Sequence, residues 1–216
     1  MGSDIVTLSL DGRRRKAARG RSILETARQF GVKIPTLCYH EALAPVGSCR
    51  LCVVEVTDRG RTRTMASCVT PVEDGMVVRT DTKKITDIRK MVISLLLARC
   101  PEVKIIKRTA RELGVTTSRF PKSDEDCYLC GMCVRACADI VGVGAIGFTN
   151  RGPKSEVQPP FGQESSVCIG CGTCTTICPA RTFDLAKVFA RRSMHGKAGE
   201  RGVVRCTICE GHYTGK

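Results

Sequence analysis

The sequence CYLCGMCVRAC at residues 127–137 is matched in form by CIGCGTCTTIC at residues 168–178. In both runs the four cysteines are separated by two, two and then three residues. Thiolate sulfurs at such short, regular spacing are typical ligands of zinc and of iron–sulfur clusters. The repeated run therefore predicts that the C-terminal part of the chain is organised around metal.

The doubled spacing resembles that of the bacterial two-cluster ferredoxins, in which the fourth cysteine of each run ligates the other cluster. This resemblance assigns one [4Fe–4S] cluster to Cys127, Cys130, Cys133 and Cys178. It assigns a second [4Fe–4S] cluster to Cys168, Cys171, Cys174 and Cys137. Pro179 follows the second run as the pattern expects, whereas Ala138 stands at the matching place in the first, which we expect to loosen one turn without removing a ligand. Two zinc sites are the alternative, and eight cysteines at this doubled spacing disfavour it.

A second group of cysteines lies in the N-terminal part of the chain, with ten, two and fifteen residues between its members: Cys38, Cys49, Cys52 and Cys68. The plant-type [2Fe–2S] ferredoxin pattern has four residues, not ten, between its first two cysteines, so the match is partial. A zinc site is an open alternative on spacing alone.

Hydrophobic periodicity and turn signals predict an α+β fold. Residues 5–18 read as a hairpin, Ser22 and Glu25 form a capping box that begins a helix, and Gly31 ends it. The strand-like stretches 51–56 and 76–80 complete a small β-grasp sheet with the first four cysteines in its loops. Helices are expected at 83–99 and about 102–113. The predicted divisions are a [2Fe–2S] β-grasp domain at 1–82, a helical linker at 83–120, a two-[4Fe–4S] ferredoxin-like domain at 121–190 and a basic tail at 191–216.

The formal net charge of +14 could suggest nucleic-acid binding. However, three Tyr, six Phe and no Trp give no stacking platform, and three clusters of about −2 each would reduce the net charge to roughly +8. The basic surface suits acidic protein partners instead. The longest apolar run, at 91–98, is too short for a membrane span, and we expect a cytoplasmic protein without a signal peptide.

Three stretches near the first cysteines carry a closer resemblance: IPTLCYH at 34–40, GSCRLCVVEV at 47–56 and ASC at 66–68. They resemble the N-terminal [2Fe–2S] domain of the complex I 75 kDa subunit family. That family includes the diaphorase gamma subunit of NAD-reducing hydrogenases and related subunits of iron hydrogenases and NAD-linked formate dehydrogenases. The resemblance extends from about residue 4 to 190 and implies that Cys38, Cys49, Cys52 and Cys68 are [2Fe–2S] ligands.

One segment departs from the family. Its complex I members carry a further [4Fe–4S] cluster, held by one His and three Cys, after the first long helix. Here residues 98–104 read ARCPEVK, with one cysteine and no histidine. We therefore expect that cluster to be absent and Cys100 to be a buried apolar residue.

The resemblance implies one [2Fe–2S] and two [4Fe–4S] clusters in an iron–sulfur relay subunit of a multi-subunit NAD(P)H-linked oxidoreductase. The expected partners are a flavin- and NADH-binding subunit and a catalytic subunit such as hydrogenase or formate dehydrogenase. We assign no catalytic residue, and expect the chain to be non-catalytic alone. The alternatives are a free soluble multi-cluster carrier and an enzyme with its own NAD or flavin site.

Three further features are ambiguous. GVGAIG at 142–147 matches the dinucleotide-binding fingerprint, but residues 148–153 cannot open the helix that this site needs, so we interpret it as a connector. His40, beside Cys38, is interpreted as a surface residue or one that lies near the cluster without ligating it. Cys206, Cys209 and His212 could bind zinc or complete an additional cluster with a partner's ligands, and a reduced pair in a mobile tail is the alternative.

Overall fold

The computed structural model describes residues 5–163 and 165–183, together with the backbone of two short strands at 204–205 and 212–213. The chain forms two compact units. The first comprises Met1–Tyr39 and Pro45–Glu125, and the second comprises His40–Ala44 and Asp126–Lys216. The short segment 40–44 belongs to the second unit, where Arg135 donates a hydrogen bond of 2.6 Å to the carbonyl oxygen of Ala44.

A five-stranded mixed sheet forms the first unit. Its strands are β1 Ile5–Leu10, β2 Arg13–Ala18, β3 Val53–Asp58, β4 Arg61–Ala66 and β5 Val77–Arg79. They lie in the order β2-β1-β5-β3-β4. The pair β1 and β5 is parallel, and the other pairs are antiparallel. The predicted strands are confirmed, with bounds that differ by at most two residues.

The first hairpin follows from a turn and an alternating pattern. Asp11 and Gly12 adopt positive φ angles of 49° and 79°, the conformation that a tight two-residue hairpin requires. Every second residue of β1 is buried, at Val6, Leu8 and Leu10. The Asp11 carboxylate also accepts hydrogen bonds from the backbone and hydroxyl of Thr80, each 2.7 Å long, which fixes the turn to the end of β5.

Helix α1, Ile23–Gln29, packs on the inner face of the sheet. The Ser22 hydroxyl accepts from the backbone N–H of Glu25, and the Glu25 carboxylate accepts from the backbone N–H of Ser22, so the predicted capping box is present. Ile23, Leu24 and Ala27 are fully buried in the core. The helix ends where Gly31 takes a φ of 72°.

Strand β4 was absent from the sequence-based prediction. It pairs with β3 along its whole length, from Val53 with Ala66 to Asp58 with Arg61. Its first four residues are exposed, and arginines occupy positions 61 and 63. Charged residues on an edge strand discourage pairing with other chains, but they also hide the hydrophobic alternation that identifies a strand.

Helices α2 Lys83–Arg99 and α3 Lys104–Glu112 confirm the two predicted helices. The Thr82 hydroxyl caps α2 by accepting from the N–H of Ile85 at 3.3 Å. α2 packs against β3 and α3, and buries a stripe of residues at helical spacing: Ile85, Arg89, Ile93 and Leu97. Both helices therefore form part of the first unit, whereas the sequence suggested a separate linker at 83–120.

The described residues of the second unit form short elements. They are α4 Met132–Arg135, a π-helical turn Ala136–Ile140, β6 Gly147–Thr149, β7 Glu156–Gln158, α5 Thr173–Thr176 and 3₁₀ turns at Gly152–Lys154 and Pro160–Gly162. Antiparallel pairs form between β6 and β7, and between β8 Val204–Arg205 and β9 His212–Tyr213. The α+β class is confirmed. Within the described residues, no helix has both the length and the apolar character of a membrane span.

Replacing Ser22 by alanine tests the capping box. The Ser22→Ala variant is expected to lose about 1 kcal/mol of unfolding free energy, because the N–H of Glu25 loses its side-chain acceptor. Glu25→Gln is the matched control, since glutamine also completes a capping box and should change stability less. Denaturant unfolding of the anaerobic full-length chain, followed by circular dichroism, measures both. Equal midpoints for Ser22→Ala and wild type would contradict this assignment.

Candidate metal centres

The β3–β4 hairpin brings two of the N-terminal cysteines together. Cys52 immediately precedes β3, and Cys68 follows β4 by two residues. Because Val53 pairs with Ala66 in the ladder, the two cysteines lie at the same end of the hairpin, with their sulfur atoms 3.4 Å apart. The buried Ser67 fixes this end by donating its backbone N–H and its hydroxyl to the Cys52 carbonyl, at 3.1 and 2.7 Å.

The other two N-terminal cysteines lie in the loop between α1 and β3. The backbone N–H of Cys49 donates to Cys38 Sγ at 3.3 Å, and the N–H of Leu37 donates to Cys49 Sγ at 3.4 Å. The loop turns through positive φ angles at Gly47 (64°) and Arg50 (57°). Backbone N–H groups that point at sulfur stabilise negative charge there.

These four thiols are arranged as two pairs. A hydrogen bond with Cys38 lowers the pKa of Cys49 to about 6, and one with Cys68 lowers the pKa of Cys52 to about 7. The pKa values of the partner thiols Cys38 and Cys68 are raised by the same hydrogen bonds and then by burial. Each pair thus contains one thiol that ionises readily, and the thiolate is the form that binds metal.

Burial separates the four ligand candidates from solvent to different degrees. Cys38, Cys52 and Cys68 are at most 2 % exposed, whereas Cys49 is half-buried. Cys52 and Cys68 belong to the core cluster that also contains Val54 and Ile23. The described side chains include no group of three or more His, Cys, Asp or Glu residues already set around a single metal ion.

In the second unit the two cysteine runs share one backbone conformation. The residue before the second cysteine has a positive φ in both, at Leu129 (56°) and Gly170 (64°). The residue after it also has a positive φ, at Gly131 (70°) and Gly172 (78°), and a one-turn helix follows in each case. A left-handed non-glycine residue such as Leu129 costs roughly 1 kcal/mol, which the structure sustains inside this turn.

The fourth cysteine of each run lies with the other run. Burial, together with the neighbouring charges of Cys130 and Cys178, raises the pKa of Cys133 to about 12. Burial likewise raises the pKa of Cys174 to about 12, with further contributions from Cys171 and Cys137. The electrostatic neighbours of Cys133 and Cys174 therefore include one cysteine from the opposite run.

The two runs differ around their fourth cysteines. In the first run, Ala136–Ile140 form a π-helical turn that contains Cys137 and Ala138, whereas in the second run α5 ends at Thr176, before Cys178 and Pro179. The Cys137 carbonyl accepts from the N–H groups of Val143 and Gly144 at 3.1 and 3.2 Å. Ala138 keeps a backbone N–H that a proline would lack. The expectation that Ala138 loosens this turn stays a prediction.

The glycine-rich connector has a local role that the sequence did not reveal. It folds back so that the N–H of Ala145 donates to Cys137 Sγ at 3.2 Å. The chain then enters β6 at Gly147 and not a helix, as expected from residues 148–153. Positive φ angles at Gly142 and Gly144 allow this reversal. The two glycines would have been the only sequence signal for it.

The remaining sequence candidates have different outcomes. His40 is half-buried and its Nδ1 accepts from the N–H of Ala42 at 3.2 Å, which stabilises its own loop. Cys100 is 0 % exposed at the C-terminal end of α2, so its predicted burial is confirmed. Cys206 and Cys209 lie outside the described residues, as does the side chain of His212.

Comparison with known proteins agrees with this division. Residues 3–83 match the model of a 2Fe-2S iron–sulfur cluster binding domain, and residues 126–182 match that of a 4Fe-4S dicluster domain. The chain therefore contains one region similar to each of these two iron–sulfur domains. The predicted cofactor content of one [2Fe–2S] and two [4Fe–4S] clusters agrees with these domains.

Similar proteins support the family predicted from the sequence. The alpha subunit of the NADPH-Fe(3+) oxidoreductase of Geobacter sulfurreducens is 32 % identical over 213 residues, which cover 87 % of this chain and 25 % of the relative. The HndD subunit of the NADP-reducing hydrogenase of Solidesulfovibrio fructosivorans is 30 % identical, with coverages of 81 % and 35 %. A subunit of the NADH-quinone oxidoreductase of Rhizobium meliloti is 31 % identical, with coverages of 85 % and 26 %. This chain therefore spans about a quarter to a third of the length of these relatives.

A solved structure is also similar. A chain of an NAD+-reducing [NiFe]-hydrogenase in the H2-reduced state aligns with a TM-score of 0.70 and 28 % identity. The alignment covers 81 % of this chain and 84 % of that one. The resemblance to subunits of NAD-linked hydrogenases and of NADH-quinone oxidoreductases is thereby confirmed.

Gly131 offers a test of the turn that contains Cys130 and Cys133. An alanine there would take a φ of 70° and place its Cβ 3.0 Å from the ring of Phe148, so Gly131→Ala is expected to speed the loss of [4Fe–4S] visible absorption in the presence of a chelator. Gly114→Ala is the control, because Gly114 also has a φ of 70° but open space and no neighbouring cysteine. Cluster loss at equal rates in both variants would contradict a specific role for Gly131.

Proposed function

We propose that this chain is the iron–sulfur relay subunit of a multi-subunit NAD(P)H-linked oxidoreductase. The observation that carries the proposal is the presence, in one chain, of regions that match a 2Fe-2S domain and a 4Fe-4S dicluster domain. The relatives are named as parts of an NADPH-Fe(3+) oxidoreductase, an NADP-reducing hydrogenase and an NADH-quinone oxidoreductase.

The proposed ligands are the cysteines that the spacing of the two C-terminal runs and the family resemblance of the N-terminal stretches predict. The [2Fe–2S] cluster would be held by Cys38, Cys49, Cys52 and Cys68. One [4Fe–4S] cluster would be held by Cys127, Cys130, Cys133 and Cys178. The other would be held by Cys168, Cys171, Cys174 and Cys137. The donor set fits these groups, since each offers four thiols, at least one of which is buried or accepts a hydrogen bond from a backbone N–H.

Iron–sulfur clusters accept and release one electron at a time, whereas NADH delivers two electrons as a hydride. We therefore assign hydride chemistry to a flavin- and NADH-binding partner, and the second redox reaction to a catalytic partner such as a hydrogenase or formate dehydrogenase. The contribution of this chain is to fix the thiolates, to donate N–H groups to sulfur at Cys38, Cys49 and Cys137, and to exclude water.

A free soluble carrier is the second candidate function. It differs from the relay subunit in that it does not assemble with partner subunits. The relay proposal favours a cytoplasmic complex, and the α2–α3 pair supports it because a small diffusing carrier does not need this added helical scaffold. The basic surface also suits docking to acidic protein surfaces, with association that weakens as salt is raised.

Affinity-tagged chain purified from its native cells tests the relay function. We expect a flavin-containing subunit to co-purify, and the complex to show NADH- or NADPH-dependent reduction of the iron–sulfur absorption. The isolated chain should not respond to either nucleotide but should be bleached by dithionite. A stable monomer without partners would favour the free carrier, and nucleotide oxidation by the isolated chain would favour an enzyme with its own site.

The crossed ligand assignment is tested by four single alanine variants. Cys133→Ala and Cys178→Ala should abolish or alter the same electron paramagnetic resonance signal, because both would remove a ligand of one cluster. Cys137→Ala and Cys174→Ala should alter the other. If Cys178→Ala instead matched Cys174→Ala, each run would ligate its own cluster and the crossed assignment would be wrong.

A further inference from the structure

Arg89 is a buried charged residue on the inner stripe of α2. It lies between Ile85 and Ile93 in the helical repeat, and only 6 % of it is exposed. A guanidinium at this depth is costly to remove from water unless the structure satisfies its donors. Its position on the helix therefore requires specific acceptors in the sheet below.

The acceptors are two backbone carbonyls on either side of a proposed cluster ligand. Arg89 Nε donates to the Leu51 carbonyl at 3.1 Å, and its Nη2 donates to the Val53 carbonyl at 2.8 Å. The residue between these two carbonyls is Cys52. The guanidinium thus spans the backbone of Cys52 and fixes the point at which the ligand loop enters β3.

Among the residues that the structure describes, no carboxylate forms a hydrogen bond or ion pair with Arg89. Both hydrogen bonds end on neutral carbonyl oxygens. Asp81 and Asp11 act on the guanidinium through space, as does the thiolate of Cys52. Burial lowers the pKa of Arg89, but an arginine side chain stays protonated at neutral pH because its ordinary pKa is so high.

We propose that Arg89 is a positioning residue for Cys52 and the buried positive charge that raises the reduction potential of the [2Fe–2S] site. One-electron reduction adds a negative charge, which a fixed nearby cation stabilises. Because the guanidinium is shielded from solvent, added salt should screen its effect far less than that of a surface charge. The inference rests on the proposed function in that it requires a [2Fe–2S] cluster at these cysteines.

The test is a redox titration of the full-length chain, followed through the paramagnetic signal of the reduced [2Fe–2S] cluster. Arg89→Gln removes the charge, Arg89→Lys retains it, and Lys90→Gln removes an exposed charge from the adjacent position on the same helix. At the wild-type midpoint, Arg89→Gln should lower the ratio of reduced to oxidised cluster at least tenfold, about 59 mV for a one-electron couple. Arg89→Lys and Lys90→Gln should stay close to wild type.

Salt dependence separates a buried charge from a general surface effect. The shift in midpoint potential of Arg89→Gln should persist in 0.5 M salt, where the Debye length is roughly 5 Å, whereas any small effect of Lys90→Gln should vanish. Equal midpoints for Arg89→Gln and wild type would overturn the inference, as would equal shifts in Arg89→Gln and Lys90→Gln. If Arg89→Gln fails to retain the cluster, the Arg89→Lys variant is the test. A tenfold or larger change in its ratio of reduced to oxidised cluster would overturn the inference.

These outcomes are distinct from failure of the proposed function. The titration uses the chain without partners, and the wild-type signal itself reports whether the [2Fe–2S] cluster is present. A wild-type chain that lacks this signal would overturn both proposals. A wild-type signal with no response to Arg89→Gln would leave the relay proposal intact and overturn the role of Arg89 alone.

Discussion

The pairing of β3 with β4 is the constraint on which the N-terminal unit depends. This register holds the sulfurs of Cys52 and Cys68 at 3.4 Å, and it does so with backbone hydrogen bonds that no ligand needs to supply. Around this pair, Ser67 fixes one end of the hairpin and Arg89 spans the other side of Cys52. The same contacts therefore stabilise the folded core and the proposed metal site. A change that shifts the register of β3 and β4 would disrupt both.

In the second unit, turns and not a sheet bring the cysteines together. In the described part of this unit, the helices are one turn long and the strands have two or three residues, so these residues offer little regular structure on which to build a core. Positive φ angles at Leu129, Gly131, Gly170 and Gly172 bring the cysteines of each run into a tight turn. Ligation across the two runs would then join these turns, and metal binding would supply part of the folding free energy.

Much of this architecture could be predicted because its signals are local. The turn at Asp11 and Gly12, the capping box at Ser22 and the cysteine spacings each act over a few residues. What escaped prediction depends on tertiary contacts. Strand β4 carries arginines at an edge and lacks alternation, and Arg89 looks like a solvated charge until α2 is docked on β3. The Ala145 donor was hidden for the same reason, since only the folded connector directs its N–H at Cys137.

The central claim is that this chain holds three clusters, and that the segment around Cys100 does not hold a fourth. Determination of iron in anaerobically purified full-length protein, together with Mössbauer spectra that separate [2Fe–2S] from [4Fe–4S] iron, tests it most directly. The account predicts about ten irons per chain, in the proportions two, four and four. A content of about fourteen, or a chain that carries zinc in place of iron, would contradict it.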